Sequence, residues 1–284
     1  TLEGEVLTGL YPAVMLALVG VVTVTVSLPL RSRPATERAR AVFDRLIIAG
    51  STTAAAGWGA VLAGMLQGVP LRADGHLDGL GHLLTPFVAA GGMTVVALVA
   101  VHGAAFLALR MPASPPAAPP ASPGQRPQAV VETAGLYERL GRQLVPVALA
   151  ALAATTVVGL LSERVRQAVR QPAPAVLLLA VIAAALLVSR AALARRRPGV
   201  AFAATSVALA TPVLLVGVAA WPYALVSSVD ADASLTVTEA IASGPTLRLL
   251  GPLVVGLLPA LLGFQLMSWW VFRGRIDGRA PVYW

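Results

Sequence analysis

The sequence holds no cysteine, which removes disulfides, thiolate nucleophiles, iron–sulfur ligands and zinc ribbons from its chemistry. It holds no lysine either, so all 21 basic residues are arginine. Beside the abundant Ala, Val, Pro and Gly, that bias reads as base composition, and no arginine-specific chemistry is drawn from it. Three histidines (His76, His82 and His102) leave little room for a metal site. Only 12% of residues are charged, about half the roughly 25% of soluble proteins. No Walker loop, dinucleotide fingerprint, H-E-x-x-H motif or nucleophile elbow occurs. No basic n-region opens the chain, which starts at Thr1 with Glu3 and Glu5, and a processed, trimmed or partial chain is expected. The net charge of +8 does not point to nucleic acid, because the arginines form no stripe beside aromatics.

What the chain does have is apolar length. Seven runs stand out, near 7–30, 45–68, 86–109, 143–161, 173–189, 199–221 and 246–272. A helix needs about 17–25 residues to cross a bilayer, so the fold class expected is an all-α integral membrane protein. It is a polytopic bundle of about seven transmembrane helices, the run at 173–189 being the shortest. Pro86, Pro212, Pro252 and Pro259 lie in these runs, where membranes tolerate proline. Gly57, Gly59, Gly64 and Gly68, and the pair Gly91–Gly92, permit close helix approach.

The gaps between runs alternate in charge. Sixteen of the 21 arginines fall in loops one, three and five and the tail, including Arg31, Arg110, Arg142, Arg190 and Arg273. Eight of the 13 acids fall on the other side, with Arg72, Arg164, Arg166, Arg170 and Arg248. Positive-inside bias then predicts a multi-pass protein of the cytoplasmic (plasma) membrane with a cytoplasmic C-terminus and Thr1 outside. One further helix ahead of Thr1 would bring both ends inside. The basic segment Glu163–Arg170 fits this scheme least well.

Residues 111–130 are a Pro/Ala/Ser tract that blocks regular structure. The expected organisation is therefore residues 1–110 with about three spans, a cytoplasmic linker at 111–141, and residues 142–284 with about four spans. In the loop at 222–245 a short helix is expected after Ser234–Thr238. Trp221, Tyr223, Trp269 and Trp270 lie near run ends, where aromatic rings favour the membrane interface.

No catalytic, cofactor-binding or metal-ligating residue emerges. His102 is the one ionisable residue clearly inside a run, roughly 12 Å from Arg110 at ~1.5 Å per residue. It is either a neutral imidazole bonded to a facing helix, the commoner use, or the mark of an ion or cofactor path. Asp44 is read as a helix N-terminal cap before a proton-transfer group. Gln67 and Gln265 are read as helix-to-helix glue. His102, Asp44 and Arg110 are thus the candidate intramembrane polar or structural contacts.

Several strings resemble the small subunit (subunit II) of cytochrome bd-type quinol oxidases. They are Gly9-Leu10-Tyr11; Phe43-Asp44-Arg45 with Gly50-Ser51; and Gly64-Met65-Leu66-Gln67-Gly68-Val69-Pro70-Leu71. The next is Leu83-Leu84-Thr85-Pro86-Phe87, continuing through Gly91-Gly92 and His102-Gly103-Ala104 to Leu109-Arg110. Further on come Trp221-Pro222-Tyr223, Ser227-Ser228, Ala233-Ser234-Leu235-Thr236, Ala242-Ser243, Thr246-Leu247 and Phe272-Arg273-Gly274-Arg275-Ile276. The resemblance implies a non-haem subunit of a terminal oxidase that oxidises quinol, reduces O2 to water and contributes to proton-motive force without pumping. It places haems b558, b595 and d, and the quinol-oxidising loop, in a large partner subunit. It also implies small single-helix accessory subunits and a structural quinone as a candidate guest, with no nucleic-acid partner.

The family's opening helix with D-G-F-D-x-G-x-G, and its W-D-G-N-E-V-W segment, do not occur here, so Thr1 is expected to fall after both. Val24 stands where a basic residue is frequent, and proton-entry roles carry over to no residue. The Pro-rich linker and arginine-only composition resemble the actinobacterial type, with menaquinol as donor. A stand-alone secondary transporter is the alternative, supported by multiple spans, two-part construction and helices broken at Pro212 and Pro252–Pro259. A pure membrane scaffold is a third reading, separated from the first by whether the partner carries haem.

Overall fold

The computed structural model describes residues 2–33, 36–72, 79, 81–110, 128–240 and 244–271. Eight helices occur among them: α1 (Leu2–Leu30), α2 (Glu37–Gln67), α3 (Pro86–Arg110), α4 (Gln128–Leu161), α5 (Glu163–Ala168), α6 (Pro172–Ala194), α7 (Pro198–Ala220) and α8 (Gly244–Val271). Seven of these, all but the six-residue α5, are long and apolar enough to cross a membrane. The shortest run becomes the 23-residue α6, extended past Val188 by Ser-Arg-Ala-Ala-Leu-Ala. Pro172 and Pro198 open α6 and α7 in the first turn, where a proline's missing N–H removes no helical hydrogen bond.

Two expectations from the sequence change. Pro212, Pro252 and Pro259 lie inside continuous helices α7 and α8, so these helices are not broken. Residues 128–141, assigned to the linker by composition, are the opening turns of α4, where the prolines have ended and Gln, Ala, Glu, Leu and Arg favour helix. The loop after α7 forms a short antiparallel ladder, β1 (Tyr223–Leu225) with β2 (Leu235–Thr236), and a 3₁₀ turn at Ala231–Ala233, while the short helix expected after Thr238 runs into residues 241–243, outside the described residues. β-branched and aromatic residues there suit an extended backbone. Residues 111–127, His76 and the tail arginines lie outside the described residues.

The helices pack in chain order, α1 on α2, α2 on α3 and α3 on α4, and α7 returns to lie on α3 as well as α6. A single apolar core therefore crosses from one side of the Pro-rich segment to the other. Leu98 and Val101 of α3 meet Val145, Ala148 and Leu152 of α4, Ile182 and Leu186 of α6 and Ala208 of α7. Between membrane helices, lipid is as apolar as leucine, so association depends on close fit rather than on burial from water. The fit is tightest between α1 and α2 at Gly20, where an added Cβ would stand 2.3 Å from Ala54 N, and close between α2 and α3 at Gly59, where it would stand 2.7 Å from Gly92 Cα and 2.8 Å from Gly91 O. The outward faces of α1, α6 and α8 keep large apolar side chains exposed, as a lipid-facing surface requires. No residue of the Leu250–Val271 span of α8 is buried.

Charge separates along the bundle. The turn between α1 and α2, the end of α3, the start of α4 and the α6–α7 turn make an arginine end. The opposite, cap end carries residues 68–72, α5 and 221–240.

Candidate functional site

The cap is where the most specific sequence strings meet. Gln67 is the last residue of α2, and Gly68 follows with φ +85°, a left-handed conformation that turns the chain sharply at no steric cost. The next residues run beside the loop 156 positions later. Val69 N–H donates to Val226 O at 3.0 Å, and Ser228 N–H donates to Val69 O at 3.0 Å. Ser227 is the hub. Its hydroxyl donates to Leu71 O at 2.5 Å and accepts from Val229 N–H and Asp230 N–H at 3.3 and 3.1 Å. Its own N–H donates to Ser234 Oγ at 3.0 Å. Beneath this network Leu10, Ala13, Val61, Val69, Leu71, Leu225 and Ala233 form a buried cluster, so the cap seals the ends of α1 and α2.

A second knot ties α2 to α3. Gln67 is 1% exposed; its Nε2 donates to His82 O at 2.8 Å and its Oε1 accepts from the Thr85 hydroxyl at 2.6 Å. Thr85 Oγ1 also accepts from Val88 N–H at 3.3 Å, capping α3. His82 is buried, with Nδ1 facing Gly79 O at 3.3 Å. Burial pushes its pKa down, the backbone of Gly79 and Gly9 opposing and the charge of Arg164 adding. Glu239 accepts from Thr236 N–H and Oγ1–H, which holds its carboxyl below the ordinary range. Glu163 is lowered likewise, by hydrogen bonds from Arg166 and Gln167.

His102 sits on α3 against α7. Its Nδ1 lies 2.9 Å from Thr205 Oγ1. The threonine hydroxyl spends its one proton on Phe202 O at 2.9 Å, so the histidine is the donor, through Nδ1–H. The ring stacks on Phe202 with centroids 4.8 Å apart. Phe202 in turn touches Phe106 and Trp269, and the Arg110 guanidinium lies 5.6 Å over Phe106. His102 and Arg110 are thus brought into one aromatic ladder that joins α3, α7 and α8. Asp44 is elsewhere and does not cap α2, which begins seven residues earlier with Thr36 as its cap. The Asp44 carboxylate instead pairs with Arg31 across the α1–α2 turn. Gln265 is exposed on α8.

Between α2, α3, α4, α5, α6 and α7 lies a cavity of about 460 Å³. Its wall is apolar, from Leu62, Phe87, Leu179 and Leu215 among others, with the Thr94–Thr155 hydroxyl pair (2.8 Å), Thr156 and Arg166 as the polar features. A haem needs an axial His, Cys, Met or Tyr, and none lines this space, so the cavity does not fit a haem. An isoprenoid or acyl chain suits such walls.

The bundle, the cap and the motif order define a class: the chain belongs to the family described as cytochrome bd terminal oxidase subunit II, whose model matches residues 2–272. Among characterised proteins it is similar to cytochrome bd ubiquinol oxidase subunit 2 of Bacillus subtilis (strain 168), with 22% identity over 242 residues. That alignment covers 85% of this chain and 66% of the relative, so the chain spans just under two thirds of the relative's length.

The sequence located the strings of the cap but not their meeting. The serine hub carries no chemical signature of its own, and only the long-range pairing of Leu71 with Ser227 shows what it does.

Proposed function

We propose that this chain is the haem-free subunit of a cytochrome bd-type oxidase that takes electrons from quinol and reduces O2 to water. The observation that carries the reading is the family match over residues 2–272. Haems b558, b595 and d then belong to the large partner subunit, and this chain braces that partner. His102 is committed to Thr205 and Phe202, and the interior cavity offers no axial ligand. The electron donor we assign is menaquinol, from the actinobacterial character of the linker and composition. Protons consumed in making water come from the cytoplasm, so the oxidase supports proton-motive force without a pump. In this reading the arginine end and the C-terminus face the cytoplasm and the cap faces outward. The apolar cavity is assigned to a structural quinone or lipid tail.

Co-expression with a large haem-bearing subunit tests the proposal. Expected is a stable complex with quinol-dependent oxygen uptake that is lost when this chain is omitted. Full uptake by the large subunit alone, or haem bound by this chain alone, would overturn it.

A further inference from the structure

At the arginine end, α4 and α6 enclose a second space, a groove of about 830 Å³ that is unrelated to the interior cavity. Arg139, Arg142 and Gln143 of α4 line one side, and Arg190 of α6 lines the other. Spacing puts them there: 139, 142, 143 and 146 share one face of α4, and 187, 190, 191 and 194 share one face of α6. The two helices run in opposite directions, so the start of the α4 span and the end of α6 deliver three guanidinium groups to the same level. Next to them, toward the membrane interior, the groove continues over Pro146 and Leu187. It is therefore cationic at its mouth and apolar along its floor.

Ordinary positive-inside arginines would extend into water, and Arg139 and Arg190 are exposed. Arg142 differs. It is half-buried, and its Nε is fully buried with no hydrogen-bond partner. An unpaired buried donor on a permanent cation is costly. Among the described residues none of the three arginines pairs with a carboxylate, although Glu138 is adjacent on α4 and pairing occurs at Arg31, Arg40 and Arg166. The missing partner is an anion with several acceptor oxygens that also carries an apolar tail.

We propose that this groove is a binding site for an anionic phospholipid. The phosphodiester takes forked hydrogen bonds from Arg142 and Arg190, Arg139 and Gln143 close the mouth, and one acyl chain lies over Pro146 and Leu187. Guanidinium groups match phosphate oxygens in pairs, and basic pockets between spans are suited to lipid headgroups. The bound lipid ties α4 to α6.

The test is native mass spectrometry of the full chain, with whatever subunits co-purify, after delipidation and titration with phosphatidylglycerol, phosphatidylcholine or inorganic phosphate. Expected is one tightly held phosphatidylglycerol, with phosphatidylcholine and free phosphate each at least tenfold weaker. Arg142→Gln and Arg190→Gln should each weaken phosphatidylglycerol about tenfold. Arg142→Lys, which keeps the topological charge, should lose most of the same increment because lysine cannot fork. Arg195→Gln removes a charge from the same end without touching the groove and should change nothing. Free phosphate binding as well as the lipid would overturn the proposal. So would Arg195→Gln acting as strongly as Arg142→Gln, or an acidic segment of a partner subunit cross-linking into the groove. If a glutamine variant fails to fold, a photoreactive acyl chain on the unmodified protein decides the question. Labelling at Leu187 and Pro146 supports the site, and labelling confined to α8 and α1 overturns it.

Discussion

Replacing Gln67 by leucine keeps the volume of a buried side chain while deleting both of its hydrogen bonds. The His82 carbonyl, held in a buried residue, loses its 2.8 Å donor and has no water to turn to. Leaving such a group unpaired costs about 1–3 kcal/mol. The Thr85 hydroxyl is only half-buried, so it can find solvent, and its loss adds roughly 0.5 kcal/mol. The expected total is about 2–3 kcal/mol, which for a chain of this size lowers the unfolding temperature by roughly 3–5 °C. Thr85→Val alone should cost about 1–2 kcal/mol, since it orphans Gln67 Oε1 and removes the acceptor that caps Val88 N–H. Because the two side chains share one bond, the double variant should fall short of the sum by about 1 kcal/mol. Thermal unfolding of the purified protein in detergent, followed by helical circular dichroism, reads all three. A leucine variant melting within about 1 °C of the parent, or strict additivity, would refute the claim that this knot fastens α2 to α3.

Gly59→Ala should destabilise the α2–α3 seam by about 1–3 kcal/mol, since its Cβ meets backbone atoms of Gly91 and Gly92. Gly103→Ala, with nothing within 4 Å of the new Cβ, should be neutral or gain up to about 1 kcal/mol in the same melting assay. Ser227→Ala removes the bond to Leu71 O and the acceptor of two loop amides, so hydrogen exchange at residues 69–72 and 227–230 should rise together. Exchange confined to either segment would mean the two are not held as a unit. The pH dependence of the same amides follows from His82, whose folded pKa lies below its ordinary value near 6.5. An opened cap takes up a proton around that value while the closed cap does not. Closure is therefore fully favoured above it and weakens as pH falls below it. Protection at pH 5 should be lower than at pH 7.5 after correction for intrinsic exchange, and His82→Gln should abolish the difference.

The spans were legible because each is a long apolar run bounded by arginine, proline or loop residues, and length alone decides whether such a run can cross a bilayer. α6 looked short only because hydropathy falls at Ser189 and Arg190, whereas the helix continues until its carbonyls are capped beyond Ala194. The start of α4 was misread because proline density upstream masked a helix-forming stretch. Gln67 was legible as glue since a buried amide must find partners, although its partners proved to be the α2–α3 connection rather than a facing helix. Asp44 was read as a cap from its place at the head of an apolar run, but the helix starts earlier at a polar stretch that hydropathy does not count. The strings of the cap could be picked out but not their meeting, because pairing between Leu71 and Ser227 depends on three-dimensional closure and leaves no local period in the chain.

The central claim is that the haems of the proposed oxidase lie outside this chain, and replacing its three histidines together tests that most directly. The complex with the large subunit would be purified carrying His76→Gln, His82→Gln and His102→Gln, and its haem content per assembled complex read from reduced-minus-oxidised spectra. Unchanged signatures of all three haems are the predicted result. Loss of any one of them from complexes that still assemble would contradict it.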